Sequence, residues 1–170
     1  MHVLWLVPLL YLVAAAAQAA ESQSLRARVV SVTDGDTVTV ITPAKKKMKV
    51  RLGGIDAPDK KQPFGKAAKA ALSDLVQGRD VDLIGSKPDR REPFVAKIVH
   101  EGRDVNLELL RMGLAWWHVK FPEEQTAEDG EVYAAAESDA RDAGLRLWSD
   151  FGAVPPWEWK QNPPETARLQ

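Results

Sequence analysis

Cysteine is absent from the 170-residue chain. Its absence excludes disulfides, thiolate metal sites and a cysteine nucleophile. An excess of either charge is lacking too, because 23 basic and 24 acidic side chains almost cancel. Net charge therefore gives no reason to expect a polyanionic partner. The length suits one domain with a substantial core.

The longest apolar run is at the N-terminus, and no later segment is long enough to span a membrane. Val3 to Ala17 carries no charged side chain, and Ala17-Gln18-Ala19 fits an A-x-A cleavage pattern. This predicts a signal peptide over residues 1–20 and an exported protein, periplasmic or secreted. His2 replaces the usual basic residue of such leaders, and the alternative is an uncleaved membrane anchor.

Charge is unevenly distributed along the chain. Residues 44–103 carry 15 basic and 8 acidic side chains, a net charge of +7. Residues 104–170 carry 6 basic and 13 acidic side chains, a net charge of −7. A basic middle segment would attract phosphate while the acidic third keeps the protein soluble. The alternative is that these charges only cover a solvated face.

The first part of the mature chain predicts three antiparallel strands. Residues 25–32 and 37–41 are rich in apolar and β-branched side chains, and Asp34-Gly35 between them is a hairpin turn signal. Residues 48–55 are the third predicted strand. Gly53-Gly54 within it indicates a bulge or a close backbone approach.

The rest of the chain alternates helices and strands. Apolar spacing predicts helices over residues 64–76, around 105–112 and over about 128–143, with strands over 81–84 and 94–100 and an extended Pro/Trp-rich tail over 151–170. The predicted fold class is α+β, mainly β: a five-stranded Greek-key barrel of the oligonucleotide/oligosaccharide-binding (OB) type with about three helices, spanning residues 25–150.

Two carboxylates fall where the predicted strands would bring them together. Asp36 follows the first turn and Asp56 ends the third strand. Such a pair repels unless a cation lies between the two groups, and oxygen ligands suit Ca²⁺ or Mg²⁺. Because Asp-Gly turns are common, this pair alone is weak evidence for a metal site.

The ordered motifs together resemble the staphylococcal nuclease (thermonuclease) family, with spacing kept over roughly residues 25 to 160. The resemblance implies Ca²⁺-dependent hydrolysis of DNA and RNA on an OB barrel, as in exported bacterial members. The blocks that carry it are Val32–Val38, Val50–Pro58, Gln62–Gly65, Val95–Ile98, Gly102–Trp117, Leu147-Trp148 and Pro155–Trp159.

The resemblance also implies roles for individual residues. Asp36 and Asp56 match Ca²⁺ ligands of the family, and the backbone carbonyl of Ala57 matches a third. Arg51 matches an arginine that holds the phosphate. These roles suit the chemistry, since a transition state that gains negative charge needs a cation and arginine donors.

Two positions depart from the family pattern. Asp59 replaces a glutamate that orients or deprotonates the attacking water, and it is one methylene shorter. The second phosphate-binding arginine is replaced in register by Pro93. Arg90 or Arg91, in the same loop, is the predicted substitute. Losing one such contact typically costs several kcal/mol of transition-state stabilisation.

These departures leave two hypotheses. The first is a working nuclease, predicted to be a monomer with nucleic acid as its substrate. The second is a catalytically inactive domain that binds nucleic acid or a protein partner. No metal role is predicted for His100 or His118, which are isolated in sequence, and one ring of the Trp116-Trp117 pair is predicted to be buried.

Overall fold

The computed structural model describes residues 24–85 and 94–162. The predicted leader and the loop containing Arg90, Arg91 and Pro93 lie outside the described residues, as do residues 163–170. Within the described ranges, no helix combines the length and apolarity needed to cross a membrane.

The described chain is a strand-rich domain with helices inserted between and after the strands. The strands are β1 (Ser24–Val32), β2 (Thr37–Ile41), β3 (Lys47–Leu52), β4 (Ile55–Asp56), β5 (Asp80–Gly85), β6 (Phe94–His100), β7 (Arg103–Asp104) and β8 (Trp116–Trp117). The helices are α1 (Gly65–Val76), α2 (Val105–Arg111), α3 (Ala127–Asp142) and α4 (Pro156–Gln161), with 3₁₀ turns at Pro122–Glu124 and Arg146–Ser149.

Five strands form a closed barrel in the order β3-β2-β1-β5-β6, and the parallel pairing of β3 with β6 closes it. Alternate residues of β6, from Phe94 to His100, are buried, as the two-residue period of a strand requires. The barrel interior is filled mainly by Val, Leu, Ile and Ala side chains. The predicted fold class is confirmed.

The third strand is shorter than predicted. β3 ends at Leu52, a turn follows at Gly53-Gly54, and β4 leaves the barrel to pair with β8. Gly54 takes a φ of +70°, which favours glycine. Of the predicted bulge or close backbone approach, the structure shows a close approach, because a Cβ at Gly53 would lie 2.9 Å from the backbone oxygen of Glu124. The predicted burial of one tryptophan ring is also confirmed, since Trp116 is 2% exposed. The turn directs Asp56 out of the barrel sheet.

The tail was predicted to be extended, and this is wrong for part of it. Residues Pro156–Gln161 form α4, which starts after Pro155. Proline suits the first helical position because its fixed φ fits a helix and its missing N–H has no partner there anyway. The Pro-Pro pair therefore starts a short helix.

Gly35 packs the first turn against the body of the domain. A Cβ atom at Gly35 would lie 2.6 Å from the Cβ of Ala68 in α1 and 2.7 Å from the Cβ of Ala57. Only glycine permits such an approach. The turn that carries Asp34 and Asp36 is thereby held beside the residues that follow β4.

Asn106 fixes the turn between β3 and β4 from the inside. Its side chain is fully buried, donates to the carbonyls of Gly53 (2.9 Å) and Ala96 (3.3 Å), and accepts from the amide of Ile98 (3.1 Å). These bonds satisfy buried backbone groups that would otherwise destabilise the fold. The position of Asp56 thus depends on a polar contact inside the core.

Candidate active-site pocket

A cavity of about 580 Å³ collects residues from distant parts of the chain. Six carboxylates and two permanently basic side chains are among the lining residues, so the pocket attracts cations. It includes all of the described residues to which sequence reasoning gave a site role. The lining residues are Asp34, Asp36, Thr37, Arg51, Asp56, Ala57, Pro58, Asp59, Val95, His118, Phe121, Glu123, Glu124 and Lys160.

Asp36 lies between the first turn and the end of β4. One carboxylate oxygen accepts from the Thr37 hydroxyl at 2.8 Å, and the other accepts from the Ala57 amide at 3.1 Å. Burial, reinforced by the nearby carboxylates of Asp34 and Asp56, raises the pKa of Asp36 to about 7. The side chain is fixed in place, but its negative charge is poorly stabilised by the protein alone.

Asp56 is 9% exposed and faces the same pocket. Burial raises its pKa, although the positive charges of Lys160, His118 and Arg51 oppose the shift. The pKa values of both neighbouring carboxylates are raised, so their ionised forms are disfavoured. A bound cation would stabilise these ionised forms. The donor chemistry therefore fits a divalent ion.

Most of the potential metal ligands in this pocket are oxygen atoms, because six carboxylates and one histidine, His118, line it. Within residues 24–85 and 94–162, no group of three or more His, Cys, Asp or Glu side chains is arranged to hold a metal. The carboxylates of Asp36 and Asp56, which the family resemblance matches to metal ligands, line this pocket, and so does Ala57. Hard divalent cations such as Ca²⁺ and Mg²⁺ prefer oxygen ligands, so the chemistry of these side chains fits such an ion.

Arg51 lines the pocket but is engaged within the protein. One guanidinium nitrogen donates to the Ile55 carbonyl at 3.3 Å, and another forms a close ion pair with Glu124. Glu124 also accepts from the Gly54 amide at 3.1 Å. The side chains of Arg51 and Glu124 are only 24% and 12% exposed, so the pair fixes the arginine firmly.

Asp59 follows Asp56 in the chain and is more open, with a side chain that is 38% exposed compared with 13% for Asp56. Its amide donates to the side chain of Gln62 at 3.1 Å, which orders the loop before α1. The Lys160 ammonium lies 3.7 Å from an oxygen of Asp59 and 3.7 Å from an oxygen of Asp56. A residue from the last helix therefore reaches the predicted site.

His118, Glu124 and Lys160 line the pocket but had no predicted role. His118 is buried, and its ring packs 5.1 Å from Phe121 and 5.3 Å from Trp157, measured between centroids. Burial lowers its pKa. A surface or core role was predicted for His118, and its place at the pocket was missed because no sequence spacing links it to Asp56. Arg90 and Arg91 lie outside the described residues.

Comparison with known proteins shows where the chain belongs. Residues 49–150 match the family described as "Staphylococcal nuclease homologue". A Haemophilus influenzae protein named "Uncharacterized endonuclease" is 36% identical over 134 residues, 79% of this chain and 72% of the relative.

Two further relatives carry nuclease names. The "Micrococcal nuclease" of Shigella flexneri is 31% identical over 145 residues, 80% of each chain. The "Staphylococcal-like nuclease CAN1" of Arabidopsis thaliana is 35% identical over 117 residues, 69% of this chain and 34% of the plant protein.

Proposed function

The chain belongs to the staphylococcal nuclease family, and on that premise we propose that it is a Ca²⁺-dependent endonuclease that hydrolyses phosphodiester bonds of DNA or RNA. The family is generally Ca²⁺-dependent, and it implies nucleic acid as substrate. The observation that carries the proposal is the single pocket that Asp36, Asp56 and Arg51 line together.

Asp36 and Asp56 are the proposed metal ligands, with the carbonyl of Ala57. A bound Ca²⁺ would supply positive charge beside the scissile phosphate. The protein's own contribution is to hold both oxygens of the Asp36 carboxylate at fixed positions through the Thr37 and Ala57 hydrogen bonds. Holding them in place before substrate arrives avoids reorganisation during the reaction.

Arg51 is the proposed donor to the phosphate oxygens. Its contacts with Ile55 and Glu124 engage two of the five N–H groups of a guanidinium, so further donors remain for substrate. Arginine suits this role because its planar fork can pair two phosphate oxygens. Glu124 holds the fork in one orientation.

Asp59 is the proposed acceptor for the proton of the attacking water. In the reaction the water oxygen bonds to phosphorus, the water proton passes to the Asp59 carboxylate, and the bond from phosphorus to the leaving oxygen breaks with its electron pair. Asp59 suits this role because its side chain is 38% exposed, compared with 13% for Asp56. Substrate water has access to it.

An inactive domain that binds nucleic acid or a protein partner is the second candidate. Two observations favour it: proline stands at position 93 in register with the family's second arginine, and Arg51 is already paired with Glu124. In the first hypothesis, Arg90 or Arg91 would replace the missing contact. Separate Arg90→Gln and Arg91→Gln variants test that substitution by their cleavage rates.

Incubation of the mature protein with single-stranded DNA or with RNA separates the two candidates. Cleavage in Ca²⁺ that stops with a chelator, and that is lost in Asp36→Ala, supports the nuclease. Salt-sensitive binding without cleavage supports the binding domain. Neither cleavage nor binding of DNA or RNA would favour a protein partner over nucleic acid.

Export completes the proposal. We infer that residues 1–20 are removed as the protein leaves the cytoplasm, because the leader ends in small residues before polar sequence begins at Glu21. The mature protein would act in the periplasm or the medium as a monomer. N-terminal sequencing of the mature protein tests the cleavage, and an intact N-terminus in the membrane fraction would contradict it.

A further inference from the structure

The second basic side chain of the described pocket is Lys160, and it comes from the last helix. The other described basic lining residue is Arg51, whose charge is paired with Glu124. Even with the proposed Ca²⁺ and Arg51, six carboxylates leave the pocket negatively charged, so an entering phosphodiester needs a further basic group. Lys160 is therefore the described side chain best placed to supply it.

The segment before Lys160 is anchored to the domain by several contacts. The Gln62 side chain donates to the carbonyl of Val154, Pro156 is buried, and the Trp157 ring packs on His118. The Lys120 ammonium lies 5.8 Å from the centre of the Trp157 ring. These contacts place α4 beside the pocket.

The geometry of Lys160 leaves it able to bind another anion. Its Nζ lies 3.7 Å from one oxygen each of Asp56 and Asp59, which is longer than a hydrogen bond. The side chain is 54% exposed, and an ammonium has three N–H donors on a flexible stem. Charge attracts Lys160 to the carboxylates without engaging its donors.

We propose that Lys160 contacts an oxygen of the substrate phosphate beside Asp59, as a second basic group together with Arg51. This inference rests on the proposed nuclease function. In the resting protein the ammonium lies near Asp56 and Asp59, and on substrate binding it moves the short distance to the phosphate. Lys160 on α4 thereby supplies the second basic contact to the phosphate, which the proline at position 93 cannot supply.

The test compares Lys160→Gln, Lys160→Arg and a control, Lys66→Gln, which removes the same charge from an exposed position on α1 outside the pocket. In Ca²⁺ and single-stranded DNA, Lys160→Gln should lower kcat/KM about 100-fold, on the scale of one lost transition-state contact. Lys160→Arg should stay within about 10-fold of wild type because it keeps the charge. Lys66→Gln should match wild type.

Binding gives a second readout that does not depend on cleavage. The affinity for a slowly cleaved phosphorothioate oligonucleotide is measured over a range of salt concentrations. Loss of one phosphate contact should reduce the slope of log affinity against log salt by about 0.7. Lys160→Gln should show this reduction, and Lys160→Arg should not.

Several outcomes would overturn the inference while leaving the nuclease proposal intact. If Lys160→Gln kept the wild-type cleavage rate and salt slope, Lys160 would not contact the phosphate. If Lys160→Gln cleaved faster than wild type, Lys160 would inhibit the reaction. A 100-fold loss in the Arg90→Gln Arg91→Gln double variant, with none in Lys160→Gln, would assign the contact to the loop. Absence of cleavage by wild type would instead contradict the proposed function. The salt slopes of wild type and Lys160→Gln would then still show whether Lys160 contacts the phosphate.

Discussion

The backbone amide of Ala57 donates a 3.1 Å hydrogen bond to the carboxylate of Asp36, 21 residues earlier in the chain. This bond joins the first turn to the end of β4, where Asp56 lies. It explains how two carboxylates that repel each other are kept together. Keeping the Asp36 carboxylate in this position therefore costs folding free energy, which other interactions of the domain must offset.

Asp36→Asn should stabilise the metal-free protein at neutral and higher pH. Since the pKa of Asp36 is raised to about 7 in the folded state, the folded protein keeps this proton at pH values where the unfolded chain has lost it. Stability therefore falls as pH rises from about 4 to about 7 and then levels off. We expect a gain of about 2 kcal/mol at pH 8 and little at pH 4.

Urea unfolding at both pH values, with chelator present, measures this effect. Asp74→Asn on the exposed face of α1 is the control for removing one negative charge. Equal stability of wild type and Asp36→Asn at pH 8 would show that burial of this carboxylate costs the fold nothing.

Gly35→Ala should destabilise the protein by about 1–3 kcal/mol, the usual cost of overpacking. Its new methyl group would lie 2.6 Å from Ala68 and 2.7 Å from Ala57, so the turn or α1 would have to shift. Gly152→Ala is the control, because the nearest atom to a Cβ added at Gly152 is 3.4 Å away. Thermal unfolding compares the two, and equal melting temperatures would contradict the close packing.

Arg51 and Glu124 should be strongly coupled. In a double-mutant cycle with Arg51→Gln and Glu124→Gln, we expect a coupling energy of about 1–3 kcal/mol, as found for buried neighbouring groups. The exposed pair of Arg28 and Asp80, whose side chains are 60% and 51% exposed, should couple by less than about 1 kcal/mol. Chemical unfolding measures both, and equal couplings would mean that burial does not strengthen the Arg51 pair.

Asp59→Glu should increase the cleavage rate. The extra methylene lengthens the reach toward the attacking water, and a misplacement of about 1 Å can cost up to about 100-fold in rate. Single-turnover cleavage of single-stranded DNA measures the gain, which we expect to be about 10-fold. Asp59→Asn should be slower than wild type, and unchanged rates in both variants would remove Asp59 from the mechanism.

Local patterns were sufficient to predict the barrel. Alternating β-branched residues in Thr37–Ile41 and the Asp34-Gly35 turn are short-range features, and strands and turn lie where they were predicted. The break after Leu52 was harder, because β4 is defined by its pairing with Trp116 and Trp117, about 60 residues later. The helical tail was missed because a Pro-Pro pair favours extended chain as well as a helix start.

The predicted site residues that the structure describes do meet in one pocket, because they lie on the turn and strands that the motifs define. The residues that were missed reach the pocket through tertiary packing. Glu124 comes from a 3₁₀ turn and Lys160 from α4, and neither has a sequence spacing that relates it to Asp56. Their contacts depend on how the C-terminal segments fold back, which local periodicity does not specify.

The most direct test of the account is the rate of single-stranded DNA cleavage as a function of free Ca²⁺, for wild type, Asp36→Asn and the Asp74→Asn control. We predict that wild type and Asp74→Asn show the same saturable activation by Ca²⁺, and that chelator abolishes it. Asp36→Asn should lose at least about 100-fold in rate. Cleavage by Asp36→Asn at the wild-type rate, or cleavage by wild type that persists in chelator, would contradict a calcium-dependent site built on Asp36 and Asp56.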